Sequence, residues 1–129
     1  MHRRLICALA LMMPFGPAAA SDCGSAADQT SLNMCADESD KAADAALNRT
    51  YQALRGKVSK AGATALQKAQ RAWIAYRDAQ CAFATAGSSD GSIHPMIQVG
   101  CIERLTRTQT NLLDQQLHCQ EGDMSCGGQ

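Results

Sequence analysis

Cysteine usage constrains this chain more than any other feature. Seven cysteines occur in 129 residues, and what they mean depends on the first twenty positions. His2, Arg3 and Arg4 form a charged start, Leu5 to Phe15 an apolar stretch, and Ala18-Ala19-Ala20 a small-residue cleavage site, which is the order of a secretory signal. Cleavage is expected before Ser21. The apolar stretch is shorter than the roughly 20 residues a membrane span needs, and no later segment is apolar enough to serve. Cys7 leaves with the signal, so Cys23, Cys35, Cys81, Cys101, Cys119 and Cys126 remain. An even set in an exported chain reads as three disulfides. No C-x-x-C pair is present, and His94 and His118 lack ligand spacing, so neither a structural metal nor any other cofactor is expected.

Charge and aromatic content narrow the partners. Setting aside Arg3 and Arg4 leaves ten basic residues against twelve acidic ones, a net charge of −2. A mildly acidic chain with no basic block has no electrostatic footprint for nucleic acid or anionic lipid. Beyond the signal the aromatics are Tyr51, Trp73, Tyr76 and Phe83, too few for a base-stacking platform. A soluble periplasmic or secreted protein is the expectation.

Three segments carry helical periodicity, and no segment carries a sustained period-two alternation. In the first, Leu32, Cys35, Ser39, Ala43, Leu47, Tyr51, Leu54 and Val58 recur at steps of three and four, as one long helix or two stacked ones. Gly62 reads as its terminator, and Thr64 with Gln67 as a capping box opening the next helix. That second helix is predicted from about Ala65 to Thr85, with Leu66, Ala69, Trp73, Tyr76 and Phe83 as its apolar line, ending at Gly87. The short connection makes the two helices antiparallel neighbours. A polar loop then leads to Pro95, suited to the first turn of a third helix, whose stripe is Ile97, Cys101, Leu105, Thr108 and Leu112, with Leu113 and Leu117 flanking. The fold class is all-α: an antiparallel helical hairpin plus a third helix, stapled by disulfides. Residues 1–20 are the signal, 21–118 the helical domain and 119–129 a polar tail.

Folding the chain back near position 90 sets Cys81 against Cys101. Cys119 with Cys126 closes a short tail loop, which leaves Cys23 with Cys35. Six cysteines nonetheless allow fifteen connectivities. A helix running through residues 26 to 35 would hold Cys23 and Cys35 about 18 Å apart at 1.5 Å per residue, unless the chain turns back before Asp28.

With the first turn centred near residue 61, Arg77 comes level with residues 45 to 48, within reach of Asp44 or Asn48. Trp73 falls level with Thr50 and Tyr51. Asp44, Asn48, Tyr51, Trp73, Tyr76 and Arg77 therefore form an expected inter-helix cluster, an aromatic core seam with a polar clamp. A ligand pocket using Arg77 and Asp78 is the competing reading.

The strings Asp44-x-x-Leu47-Asn48-x-x-Tyr51 and Gln70-x-x-Trp73-x-x-x-Arg77-Asp78-x-x-Cys81 stand with Cys35 before them. Gly91-Ser92-x-x-Pro95-Met96, Cys101 and Leu105-Thr106 follow. In that order they resemble the LprI-type lysozyme-inhibitor domain over about residues 23 to 113. The resemblance implies an all-helical, disulfide-bonded exported domain that inhibits lysozyme. Three residues after Thr106 the family usually has arginine, whereas this chain has Gln109, so a salt bridge or surface contact made there is expected to be missing.

An inhibitor of this kind needs a protruding, preorganised segment to block the paired carboxylates of a glycosidase cleft. The loop from Gly87 to Met96 is the candidate, with Ser88, Ser89, Ser92 and His94 as hydrogen-bonding residues. The alternative is a periplasmic binding or immunity protein for another envelope-targeting toxin or enzyme, on the same scaffold. An enzyme is not expected: no H-E-x-x-H or P-loop string occurs, and pairing six cysteines leaves no nucleophilic thiol.

Overall fold

A computed structural model of the chain describes residues 23–120 and 122–126. The expected signal, its cleavage point and the last residues of the tail lie outside them. Three helices account for most of the described chain: α1 (Gln29–Lys57), α2 (Lys60–Thr85) and α3 (His94–Leu117), with a short 3-10 turn at Ala86–Ser88. No strand occurs among the described residues, and no described helix is long and apolar enough to cross a membrane.

The helix ends follow from their caps. Asp28 opens α1 by accepting from the Ser31 amide at 3.0 Å and the Ser31 hydroxyl at 2.6 Å, bonds that hold its carboxyl below the usual carboxylate range. Val58 is extended and ends α1. Ser59 opens α2, its hydroxyl accepting from the Gly62 amide at 3.1 Å. The capping box expected at Thr64 and Gln67 is therefore absent. Thr64 lies inside α2 and donates to the Lys60 carbonyl at 3.1 Å, while Gly62 sits in the first turn of α2 rather than ending α1. A serine cap one residue beyond Val58 had the stronger local chemistry, and it shortens the connection to two residues. Pro95 occupies the first turn of α3 as expected.

The packing order also departs from a simple hairpin. The amide of Asn33 donates to the Ser92 carbonyl at 3.1 Å, Ser39 to Glu103 at 2.8 Å, and Lys57 to the Leu117 carbonyl at 2.6 Å. These pairs advance together along both helices, so α1 and α3 run parallel and are the closest partners in the bundle. Ala43, 1% exposed on α1, and Thr106, fully buried on α3, leave room for that close approach. α2 runs back antiparallel to both, nearer to α3 than to α1.

The core is thin. Leu47, Leu54 and Leu113 form its buried centre, with Tyr51, Val58, Leu66, Trp73 and Leu117 packed around them. Toward the other end it becomes polar: Thr85 and Thr106 are buried with Cys81 and Cys101, while Gln70 is buried nearer the leucines. Disulfides reinforce this arrangement. Cys81–Cys101 joins α2 to α3 with Cα atoms 5.7 Å apart, and Cys23–Cys35 folds the segment before α1 back onto its second turn, with Cα atoms 5.6 Å apart. The chain reverses before Asp28, which removes the 18 Å separation a continuous helix would impose. Cys119–Cys126 closes the segment after α3 into a loop, against which the Gln116 amide donates to the Ser125 carbonyl.

Candidate functional site

Arg77 is the centre of the polar half of the bundle. Its side chain is 15% exposed, an unusual burial for a guanidinium without extensive pairing. Nε and Nη2 each lie 2.9 Å from Asp78 Oδ1, Nη1 donates to the Thr106 hydroxyl at 3.3 Å, and Nη1 stands 3.9 Å from Asp44 Oδ1. The guanidinium carbon lies 5.2 Å from the centroid of the Trp73 ring, a cation–π distance. The arginine thus ties α2 to α3 through Thr106 and to α1 through Asp44, which is the clamp expected from its position. Asn48 is not part of it: its amide donates to Asp44 within α1 at 3.3 Å. Because the turn is centred at Val58 and Ser59 rather than residue 61, α1 slides by about a turn relative to the expected level.

That slide brings in Asp40, which sequence reasoning missed. Its Oδ1 is buried without a hydrogen-bond partner among the described residues. Burial pushes its carboxyl above the usual carboxylate range, more than the nearby Arg77 charge lowers it, and Asp44, Glu103 and Asp37 push it further up. The available signal was its spacing, three residues before Ala43 and seven before Leu47 on the inward stripe. Since the folded state holds this proton more tightly than the unfolded chain, ionised Asp40 opposes folding at neutral pH, and the penalty disappears below the unfolded carboxylate pKa. Asp40→Asn is expected to raise the melting temperature at about pH 7, with the gain shrinking as the pH falls through the carboxylate range. Thermal unfolding across that range measures it. A gain that is constant with pH would assign the effect to packing.

Asp44, Leu47, Asn48 and Tyr51 of α1 face Gln70, Trp73 and Arg77 of α2 across an open groove of about 390 Å³. Tyr76, expected in this cluster, is not there: it points outward and is 58% exposed. Gln109, which stands where the resemblance has arginine, donates its amide to Gln70 Oε1 at 3.2 Å. A neutral pair therefore links α2 and α3 at that level, so the position still makes a cross-helix contact. Cys119, Asp123 and Cys126 bring potential metal ligands together, but the two sulfurs are bonded to each other, and a disulfide sulfur is not a thiolate ligand.

The loop joining α2 to α3 is internally organised. The Ser88 hydroxyl donates to the Thr85 carbonyl at 2.9 Å and lies 3.1 Å from His94 Nδ1, while the Gly91 amide donates to the Ser88 carbonyl at 2.9 Å. With Asn33 holding the Ser92 carbonyl, the loop is also fixed to α1. Ser88 and His94 are half-buried and spend their polar atoms on the loop. Ser89, Asp90 and Ser92 are exposed, and Ile93 is 40% exposed beside them. The four residues singled out from the sequence thus divide into two that hold the loop and two that face outward.

A family model described as lysozyme inhibitor LprI matches residues 20–113, which takes in the Arg77 clamp, the loop and two of the three disulfides. The chain belongs to the LprI family. An uncharacterized protein of Rhizobium meliloti (strain 1021) is 44% identical over 102 residues, covering 69% of this chain and 73% of that protein. No solved structure matches the chain. The Cys119–Cys126 loop lies beyond the LprI match, so the family region ends within α3. LprI membership agrees with a lysozyme-inhibitor-like, non-catalytic role and a protein partner.

Proposed function

We propose that this protein is exported to the periplasm or the medium and inhibits a lysozyme by placing the loop between α2 and α3 in the cleft of the glycosidase. The observation that carries this reading is the loop's preorganisation. The Cys81–Cys101 bridge stands behind it, Ser88 and His94 brace it from within, and Asn33 anchors it from α1. A segment held in its binding conformation loses little entropy on docking, and inhibition by obstruction requires no chemistry from the inhibitor. The Ser89 and Ser92 hydroxyls face solvent and are suited to donate to the paired carboxylates of a retaining or inverting site. Export is supported by the charged and apolar start of the chain and by three disulfides, which persist in oxidising compartments.

The test is a lysozyme titration with the oxidised mature protein and with Ser89→Ala/Ser92→Ala. The double variant is expected to weaken inhibition by about tenfold, the equivalent of ~1.4 kcal/mol from two lost hydrogen bonds, while its circular dichroism is unchanged. Lysozyme that retains full activity at micromolar protein would overturn the proposal. Undiminished inhibition by the variant would move the contact away from this loop.

A further inference from the structure

The outward face of α2 carries a second pattern that its inward face does not explain. Leu66, Gln70, Trp73, Arg77, Cys81 and Thr85 turn toward the bundle. Displaced from them, Ala65, Ala69, Ala72, Tyr76, Ala79, Phe83 and Ala86 recur at alternating steps of four and three. All seven are exposed, Tyr76 by 58% and Phe83 by 80%. Single exposed apolar residues are ordinary. Three heptads of them without a charge form the seam of a coiled coil.

We infer that α2 pairs with α2 of a second copy of this chain, antiparallel, through this stripe. The size pattern of the stripe selects the arrangement. In a parallel pair, Tyr76 would meet Tyr76 and Phe83 would meet Phe83 at the same level, and the alanine layers would face each other across empty space. In the antiparallel register, Phe83 stands opposite Ala65, Ala79 opposite Ala69, and Tyr76 opposite Ala72, so each ring faces a methyl group and large meets small at every aromatic layer. The end of the stripe also holds a receptacle. Ala65 and Ala69 line an apolar groove of about 280 Å³ with Leu54, Val58, Leu66 and Leu113, open where the Phe83 ring of the other copy arrives. Phe83 and Ala65 are separated by about 27 Å along the helix at 1.5 Å per residue, and the two-fold operation makes both ring-in-groove contacts at once, as an isologous dimer requires.

The area is sufficient for a reversible dimer. Each aromatic carries roughly 150–250 Å² of surface, and with the alanines the pair buries on the order of 1,000 Å², at the lower bound for a specific interface. The antiparallel arrangement sets the two α2–α3 loops at opposite ends of the dimer, and the inference stands whether or not those loops bind lysozyme.

Sedimentation equilibrium of the oxidised mature protein, up to about 500 µM, tests it. A monomer–dimer equilibrium is expected in the wild type. Phe83→Glu and Ala72→Glu should each weaken it at least tenfold with unchanged helical circular dichroism, whereas Lys41→Glu on α1 should leave it intact. Ala65→Lys combined with Phe83→Glu restores facing partners and should recover association. A wild type that stays monomeric throughout, or Phe83→Glu and Ala72→Glu dimers as tight as the wild type, would refute the pairing. Failure of the charge pair to recover association would refute its register.

Discussion

Replacing both Cys81 and Cys101 by alanine is expected to lower the unfolding free energy by about 3 kcal/mol. The bridge closes a segment of 20 residues, for which the loss of denatured-chain entropy predicts a stabilisation of about that size. Both sulfurs are also buried, Cys81 completely and Cys101 to 6% exposure, so their removal loosens the α2–α3 contact as well. Against a typical domain stability of roughly 5–15 kcal/mol, this is a substantial fraction for a bundle whose buried apolar centre consists of three leucines. Urea unfolding of the variant beside the wild type measures it. A change below about 1 kcal/mol would show that the loop is already restrained when unfolded. The same variant should make the Ser88–His94 contact more dynamic, and inhibition, if it depends on that loop, should weaken with it.

Trp73→Ala is expected to cost about 3 kcal/mol, the lower end of the range for removing a large aromatic from a core, because the indole is half-buried rather than enclosed. It packs on the leucine cluster with one face and carries the Arg77 guanidinium on its ring. Its loss therefore removes apolar contact and exposes the charged clamp to solvent on that side. Tyr76→Ala supplies the contrast: three residues away on the same helix but 58% exposed, it should change the stability of the dilute monomer by less than about 0.5 kcal/mol. Urea unfolding followed by circular dichroism compares the two without relying on the fluorescence of the single tryptophan. Equal effects would mean that α2 is rotated about its axis relative to the structure.

The contrast between Trp73 and Tyr76 also shows what the sequence made legible. The extent of α1, the proline-led start of α3 and the pairing of α2 with α3 through Cys81 and Cys101 follow from spacing and local chemistry alone. So does the inward face of α1, since every residue of the stripe from Leu32 to Val58 is buried or half-buried; the inward faces of α2 and α3 do not. Apolar periodicity drew the line on α2 through Tyr76 and Phe83, and on α3 through Ile97 and Leu112, which are 38% and 52% exposed. Burial instead follows Gln70 and Thr85 on α2 and Thr106 on α3, together with Leu113, which flanks the expected line. Polar residues that satisfy one another, as Gln109 does Gln70 and Thr106 does Arg77, are invisible to a search for apolar stripes, and α2 carries two stripes of which the more hydrophobic faces out. Asp40, polar on the inward stripe of α1 and with Oδ1 unpartnered, is equally invisible to such a search. The α1–α3 contact was hidden differently: nothing local in either helix announces a partner some 60 residues away.

That contact has a kinetic consequence. Because α1 lies parallel to α3, the hydrogen bonds that join them link residues 59 to 64 positions apart in the chain. The first helix to leave the ribosome or the translocation channel therefore has no closest neighbour until the last one follows. For a helical protein this is a high contact order, and topologies of that kind fold more slowly than bundles whose consecutive helices are the main partners. The α2–α3 unit, with its local loop and its own disulfide, can assemble first and offer α1 a preformed surface. Oxidation of Cys81 and Cys101 would then precede docking of α1, so the order in which thiols disappear during refolding carries a record of the folding route.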